Sequence, residues 1–161
     1  MPVPEFITAL RSRIGTDLLW LPGVTGVVLD EAGRVLLGRR ADNGLWALPS
    51  GILEPGEQPA VGLAREIAEE TGVTARVRAL TSVTSGEEIR YPNGDRSQYL
   101  DLTFWCEAVD GEAHVADDES LDVGWYDPSA LPADTTASSR ARLDHAMRFL
   151  DDPSAGPYFA R

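Results

Sequence analysis

The stretch from Gly51 to Val73 constrains the fold of this 161-residue chain more than any other part of its sequence. Glycine and proline punctuate its first half, at Gly51 and Gly56 among others, and predict a loop because these residues allow or fix unusual backbone angles. Pro59 suits the first position of a helix, and Gly72 suits the residue that ends one. Between them, apolar residues recur at helical spacing, at Val61, Leu63, Ala64, Ile67 and Ala68. We therefore predict a loop followed by one amphipathic helix.

Three carboxylates occupy the opposite face of that predicted helix. Glu66, Glu69 and Glu70 stand at positions i, i+3 and i+4, so their side chains project to one side of a single turn. Like charges at this spacing repel each other, and hard divalent cations such as Mg²⁺ and Mn²⁺ prefer oxygen ligands of this kind. A solvated acidic face is the alternative interpretation, and three glutamates alone would favour it.

The complete pattern of this stretch overturns the solvated-face interpretation. It runs Gly51, five residues, Glu57, seven residues, and then Arg-Glu-Ile-Ala-Glu-Glu-Thr-Gly-Val over residues 65–73. At every specified position it resembles the Nudix box, the long signature of the MutT-like Nudix hydrolase family, which is fixed in its spacing. The resemblance covers residues 23–132. It implies the α+β fold of that family, an α/β/α sandwich with a mixed β-sheet between helices.

The resemblance also divides the chain into three parts. Residues 1–22 are expected to be an N-terminal extension, a short helix plus an extended segment, which either caps the core or supplies a contact for a homodimer. Residues 23–150 are expected to form the Nudix domain. Residues 151–161 are expected to be a loosely ordered C-terminal tail.

The same resemblance implies roles for the residues of the box. Glu66 and Glu70, one helical turn apart, would be the principal ligands of Mg²⁺ or Mn²⁺. Glu69 would be a third ligand or would orient bound water. Glu57 and Arg65 would pair with each other or steady the loop.

Two further metal contacts are implied outside the box. The residues before it resemble the Trp-x-x-Pro-Gly-Gly approach of many Nudix proteins, with Ser50 in place of the first glycine. Because the family commonly uses that backbone carbonyl as a metal ligand, the carbonyl of Ser50 is a candidate. Late in the chain, Glu119 is a candidate metal ligand or base, with Asp118 second, and a solvated acidic loop is the alternative. The general base is left open between Glu119, Glu66 and Glu69.

Substrate contacts are expected beside the box. Arg39 and Arg40 end a predicted strand, where they either contact a substrate phosphate or remain solvated. Residues 91–95 read as a turn, and Tyr91 and Asp95 would contact the substrate if this turn covers a nucleotide rather than serving only as a hairpin tip. Trp46 is expected in the core.

Composition limits the partners and the compartment. The formal net charge of −12 argues against a nucleic-acid polymer as partner. A single cysteine, Cys106, excludes an intramolecular disulfide, and its apolar surroundings predict a buried thiol. No apolar run approaches membrane-spanning length, and no basic and apolar signal opens the chain. We therefore expect a cytoplasmic protein with no membrane contact.

The box implies phosphoric-anhydride hydrolysis but leaves the substrate open. The first expectation is cleavage of a nucleoside diphosphate linked to another moiety, such as ADP-ribose, a nucleotide sugar or a CDP-alcohol. The alternative is a house-cleaning (d)NTP pyrophosphohydrolase that releases NMP and pyrophosphate. A third interpretation is a non-catalytic module that senses nucleotides, but the carboxylates of the box are all present, which disfavours it.

Overall fold

The computed structural model describes residues 4–160. In chain order its elements are α1 (Glu5–Ile14), β1 (Leu18–Leu29), β2 (Val35–Arg40), β3 (Trp46–Ala47), β4 (Ser50–Ile52), α2 (Pro59–Thr71), β5 (Thr74–Ser85), β6 (Ile89–Arg90), β7 (Arg96–Asp110), β8 (Ser120–Tyr126), α3 (Ala137–Asp151), a 3₁₀ turn (Pro153–Ala155) and β9 (Tyr158–Phe159). No helix within these residues is long and apolar enough to cross a membrane.

One mixed sheet forms the middle layer. Its strands follow the order β3-β2-β1-β7-β5-β9, with β4 paired to β1, β6 to β7 and β8 to β2. Strand β1 runs parallel to β7 along its whole length. Val24 and Val28 of β1 pack in one cluster with Ile67 of α2, whereas Val27 packs in a second cluster with Leu143 of α3. Alternate side chains of β1 therefore serve opposite faces of the sheet, and the predicted α/β/α sandwich is confirmed.

The N-terminal segment is joined to this sheet. Strand β1 begins at Leu18, so the strand continues across the expected boundary at residue 22. Helix α1 is fixed by Arg11, whose Nη2 donates to the carbonyl of Arg96 (2.6 Å) and to Oγ of Ser97 (3.1 Å). Ile7 of the same helix is buried. Of the two alternatives for the extension, these contacts support a cap on the core.

Strands β1 and β2 follow each other in the chain but form a hairpin only at its tip. Leu29 pairs with Val35, but beyond this pair the two strands separate. The edge of β1 is taken by β4, through pairs that include Thr25 with Ser50, while β2 pairs with β8 and β3. This exchange of partners brings the residues before the box onto the central strand.

Helix α3 is attached to the sheet by a buried carboxylate. Asp101 of β7 accepts hydrogen bonds from the hydroxyls of Thr25 (2.7 Å) and Thr103 (2.8 Å). Arg142 of α3 approaches the same carboxylate, with Nε 2.9 Å from Oδ2. Because all these donors converge on one anion, the charge is compensated where it is buried.

The expectation of a loosely ordered tail is wrong for its described residues. Tyr158 and Phe159 pair in parallel with β5. The ring of Tyr158 stacks on His145 of α3, with centroids 3.8 Å apart. Backbone pairing and ring stacking together give these residues a defined place.

Two sequence expectations about the core are confirmed. Trp46 is buried and meets Tyr126 edge to face, with ring centroids 5.0 Å apart. Cys106 is fully buried, and burial raises the pKa of its thiol to about 12. The cysteine is therefore an uncharged core residue and not a nucleophile.

Candidate active site

Helix α2 has the bounds that its punctuation predicts. Pro59 is its first residue, and Gly72 follows it in the left-handed conformation at φ 70°. The buried face, however, differs from the predicted apolar stripe. Val61 is 65% exposed, whereas Glu66 is completely buried beside Leu63 and Ile67. The core therefore includes a carboxylate that the pattern placed on the opposite, polar face.

Gly51 makes room for that carboxylate. A Cβ atom built on Gly51 would lie 2.2 Å from Cδ of Glu66, a distance that no two carbon atoms can keep without bonding. Gly51 does not have a positive φ, since the positive-φ glycines of the described chain do not include it. The first glycine of the box is thus required for space and not for an unusual backbone angle.

Glu66 is buried without hydrogen bonds. Neither of its carboxylate oxygens has a hydrogen-bond partner among the described residues, although Nη2 of Arg65 lies 3.1 Å from Oε1. Burial raises the pKa of Glu66 to about 7 against the smaller opposing effect of Arg65. A buried anion in this state is costly, so the site favours either a proton or a cation.

Glu70 lies one turn further along and faces an open cleft. Burial raises its pKa to about 8, and the negative charges of Glu66 and Asp117 act in the same direction. The backbone amide of Ser50 opposes this shift by hydrogen bonding to the charged carboxylate. Glu66 and Glu70 therefore form a pair of carboxylates that repel each other in the absence of a positive ion.

Arg65 pairs with Glu57, as the resemblance implies. Its Nε and Nη2 contact the two oxygens of Glu57 at 3.0 and 3.2 Å, and this contact lowers the pKa of the Glu57 carboxyl. Glu57 also accepts a hydrogen bond from the backbone of Glu54, which fixes the loop. Gly62 permits this packing, because a Cβ there would lie 2.7 Å from Cδ of Glu57. The pair steadies the loop against the helix.

Glu69 is separated from the other two box glutamates of the helix. Its side chain is 51% exposed and meets Nη1 of Arg65 at 3.1 Å. The three carboxylates expected on one side of the turn thus take three environments. Glu66 is inside, Glu70 faces the cleft, and Glu69 lies outside against Arg65.

The cleft brings together residues from distant parts of the chain. Its volume is about 420 Å³, and its lining includes Ser50, Glu70, Asp118, Glu119 and Arg40. Arg40 is held at the wall by a bidentate contact with Asp42, at 2.9 and 2.7 Å. The lining of the cleft therefore combines several carboxylates with the guanidinium of Arg40.

The other predicted substrate contacts do not line this cleft. Nε of Arg39 donates to the carbonyl of Gly44, and the hydroxyl of Tyr91 lies 3.0 Å from that of Tyr99. Tyr91 is still close enough to Arg40 to contribute, after Asp42 and Glu70, to the raised pKa of the guanidinium.

Asp95 contacts the N-terminal helix instead, since Oδ2 lies 3.6 Å from Nε of Arg11. The turn at residues 91–95 is formed as expected, with a hydrogen bond from the amide of Tyr91 to the carbonyl of Asp95. The turn therefore joins α1 to the β6–β7 hairpin, a role that nothing in the local sequence indicates.

A divalent ion fits the chemistry of the donors. Across residues 4–160 no three Asp, Glu, His or Cys side chains already converge as a closed cage. The oxygens are nevertheless hard donors, and those of Glu66 accept no hydrogen bond within the described chain. Mg²⁺ normally keeps several waters and needs only one or two protein carboxylates, so an open set of this kind suits it.

Sequence reasoning passed over two residues of this region. Asp117 acts on the pKa of Glu70, although only its neighbours Asp118 and Glu119 were candidates. Asp42 binds the guanidinium of Arg40. The acidic run at residues 117–119 was a signal that could have identified Asp117. Asp42 follows Arg40 by two positions in an ordinary turn, so its sequence context did not mark it as a partner.

Known proteins resemble this chain over most of its length. The family model of the NUDIX domain matches residues 19–147. The crystal structure of a MutT protein from Methanosarcina mazei Go1 has a TM-score of 0.70 and 22% identity, over 84% of this chain and 99% of that one. That likeness supports the fold.

The curated relatives point to one family, but their names describe different activities. A MutT-like protein of Streptomyces ambofaciens is 40% identical over 136 residues, 84% of this chain and 79% of the relative. A nucleoside triphosphatase NudI of Escherichia coli is 32% identical over 114 residues, 65% of this chain and 80% of the relative. An ADP-ribose pyrophosphatase of Methanocaldococcus jannaschii is 32% identical over 108 residues, 65% of this chain and 61% of the relative. With the complete box and the matching domain, the chain belongs to the Nudix hydrolase family.

Proposed function

We propose that this chain is a divalent-metal-dependent pyrophosphohydrolase that cleaves a nucleoside diphosphate linked to another moiety, of the ADP-ribose, nucleotide-sugar or CDP-alcohol type. The observation that carries the proposal is the buried Glu66 carboxylate, which accepts no hydrogen bond from the described residues and lies one turn from Glu70 at the cleft. The similarity to an ADP-ribose pyrophosphatase supports the substrate class.

Mg²⁺ or Mn²⁺ is the proposed cofactor, in keeping with the family. Glu66 and Glu70 would hold the ion, and Glu119 and the carbonyl of Ser50, which also line the cleft, would add ligands. Glu69 would orient a bound water rather than bind directly, because its side chain is engaged by Arg65. When bound, the ion supplies positive charge that neutralises the pyrophosphate and makes a coordinated water more acidic.

The protein residues would then carry out the remaining steps. The guanidinium of Arg40 binds a phosphate of the substrate and holds the pyrophosphate along the cleft. Water attacks one phosphorus, the bond from that phosphorus to the bridging oxygen breaks, and the bridging oxygen leaves with the other phosphate. Glu119 is the proposed base for the water proton, since it lines the cleft, whereas Glu69 contacts Arg65 and Glu66 is buried.

The rest of the substrate would extend out of the cleft. A volume of about 420 Å³ lies in the lower part of the usual range for small-molecule sites. Arg39, Tyr91 and Asp95 lie outside the lining, so they would meet only a part of the substrate that projects beyond it. The net charge of −12 favours a small nucleotide over a nucleic-acid polymer.

The second candidate is a nucleoside triphosphate pyrophosphohydrolase. The similarity to NudI, named as a nucleoside triphosphatase, favours it. Both reactions use the same carboxylates and the same attack on phosphorus. They differ in the group that leaves, so the products distinguish them.

A panel of nucleotides with Mg²⁺ or Mn²⁺ and product identification tests the proposal. We expect NMP and a phosphorylated second moiety from an ADP-ribose-type substrate, and turnover by the Glu66→Gln variant that is lower by roughly 1,000-fold. Release of NMP and pyrophosphate from a triphosphate, with ADP-ribose-type compounds untouched, would establish the second candidate. Tight nucleotide binding without cleavage of any compound would contradict both and indicate a sensing module.

A further inference from the structure

We infer that His114 is a positioning residue for the acidic segment 117–119: its ring, seated on Gly72 at the end of α2, fixes where the strap loop (residues 111–119) crosses beside the cleft. The inference rests on the proposed function, because it assigns a task to the carboxylates of that segment. His114 itself does not line the cleft, so it would act only through the residues that follow it.

The backbone of the strap loop continues the hydrogen bonding of α2. The last carbonyls of any helix have no partner within the helix. Here the amide of His114 donates to the carbonyl of Thr71 at 3.0 Å, and the amide of Ala116 donates to that of Glu70 at 3.4 Å. The loop is therefore attached to the turn that carries Glu70.

The imidazole ring of His114 holds the strap loop in place at the end of α2. A Cβ atom on Gly72 would lie 2.0 Å from Cε1 of His114, so only glycine lets the ring sit there. Nδ1 of His114 lies 2.7 Å from the carbonyl of Glu112. Because a carbonyl can only accept, Nδ1 must carry the proton and donate, which fixes the plane of the ring. Gly111 packs equally closely, since its Cβ would lie 2.3 Å from the carbonyl oxygen of Gly72.

The far end of the strap loop reaches the cleft. Asp118 and Glu119 line it together with Glu70, and the charge of Asp117 acts on the Glu70 carboxyl. The amide of Ala41 donates to the carbonyl of Glu119 at 2.7 Å, so this end is tethered to the strand that carries Arg40. Because this short segment is held at both ends, a shift at His114 would move the carboxylates that follow it by only three to five residues.

The first experiment compares two substitutions at one position. His114→Ala removes the ring, and we expect kcat to fall about 10- to 100-fold, as for partners that orient metal ligands, with the nucleotide KM changed less because Arg40 is untouched. His114→Phe keeps a ring of similar shape on Gly72 and should retain most of kcat. His145→Ala, which removes the other described imidazole, should leave kcat unchanged.

The second experiment asks whether His114 acts through the acidic segment. In a background of Asp117→Asn, Asp118→Asn and Glu119→Gln, His114→Ala should cause no further loss of kcat. Calorimetric titration of Mn²⁺ adds a readout that needs no turnover: His114→Ala should weaken Mn²⁺ binding about 10-fold, and His114→Phe much less.

Three outcomes would overturn the inference. The first is an equal fall of kcat in His114→Phe and His114→Ala. The second is a full further fall of kcat when His114→Ala is added to the triple variant of the acidic segment. The third is a fall of kcat that a smaller folded fraction explains entirely. Failure of the proposed function looks different. In that case the wild type cleaves no nucleotide, while the Mn²⁺ affinities of the two His114 variants still differ and the inference stands on them.

Discussion

Asp101 and Glu66 are both buried carboxylates, yet their surroundings are opposite. Asp101 receives two threonine hydroxyls and the guanidinium of Arg142, all within 2.9 Å. Glu66 is less exposed still, at 0%, and neither of its oxygens has a hydrogen-bond partner among the described residues. The Asp101 carboxylate therefore has three donors, whereas that of Glu66 has only the guanidinium of Arg65, 3.1 Å from Oε1.

The difference separates a structural role from a functional one. Burying an uncompensated carboxylate costs several kcal/mol, whereas a charge that receives good hydrogen bonds can be neutral for stability. Asp101 uses its charge to hold α3 to the sheet. The chain tolerates the cost at Glu66 because a divalent ion, on the proposed function, offsets it. Replacing the charge should therefore have opposite effects on stability at the two sites.

The largest effect should come from Glu66→Gln, which keeps the side-chain shape and removes the charge. Hydrolysis should fall roughly 1,000-fold, about 4 kcal/mol of transition-state stabilisation. The metal-free variant should nevertheless gain about 1 kcal/mol of stability and melt about 2–4 °C higher, because a costly anion is gone. Steady-state kinetics and thermal melts in EDTA measure both. Near-normal turnover, or a lower Tm, would contradict the role assigned to Glu66.

Asp101→Asn should give the opposite result. The amide cannot satisfy both hydroxyls and Arg142, so the half-buried guanidinium loses its partner, a buried hydroxyl loses its acceptor, and the fold loses about 3 kcal/mol. Turnover per folded molecule should stay within a few-fold of wild type. Urea unfolding with a parallel kinetic assay checks this. Asp144→Asn, on the exposed side of the same helix, is the control and should change stability by less than about 0.5 kcal/mol.

Gly51→Ala should damage the site at Glu66 without touching a charge. The new Cβ would overlap the carboxylate, and overpacking of this kind costs about 1–3 kcal/mol. Since Glu66 must move, activity should fall along with stability. Gly86→Ala is the matched control, because no atom lies within 4 Å of its Cβ position and its φ is not positive. If Gly51→Ala were as harmless as Gly86→Ala, the close contact between Gly51 and Glu66 would be wrong.

Short-range sequence signals were enough to predict the bounds of the helix that carries this site and the ion pair that steadies its loop. Pro59 and Gly72 bound the helix in the sequence and in the structure alike, because proline and glycine act through their own backbone angles. The pairing of Glu57 with Arg65 followed from the box. These features depend on residues close together in the chain or on a motif of fixed spacing.

The surroundings of Glu66 could not be predicted in this way. Helical periodicity tells which residues share a face, but the sheet decides which face becomes buried, and β4 with Gly51 lies over Glu66. Likewise Asp95 contacts Arg11, and His114 rests on Gly72, across 84 and 42 positions of the sequence. Contacts of this range depend on the path of the whole chain.

The smallest effect is a dependence of stability on pH, which tests without a change of fold whether the Glu66 carboxylate is uncompensated. Glu66 and Glu70 have pKa values raised to about 7 and about 8 from an ordinary value of 4.5. Between about pH 5 and pH 8 the folded state therefore holds protons that the unfolded state has released. The free energy of unfolding of the metal-free protein should then fall as the pH rises through this window, by about 2 kcal/mol after allowing for the partial exposure of Glu70.

Two comparisons isolate the Glu66 contribution to that fall from other groups that titrate nearby. Glu66→Gln should remove a large part of it, whereas Asp144→Asn should leave it intact. Saturating Mg²⁺ should flatten the wild-type curve, because the ion competes with protons for the same oxygens and favours the charged form. Chemical unfolding at several pH values, with EDTA or Mg²⁺, provides the measurement. If wild type and Glu66→Gln had parallel curves in EDTA, Glu66 would already be compensated within the fold, and its contrast with Asp101 would disappear.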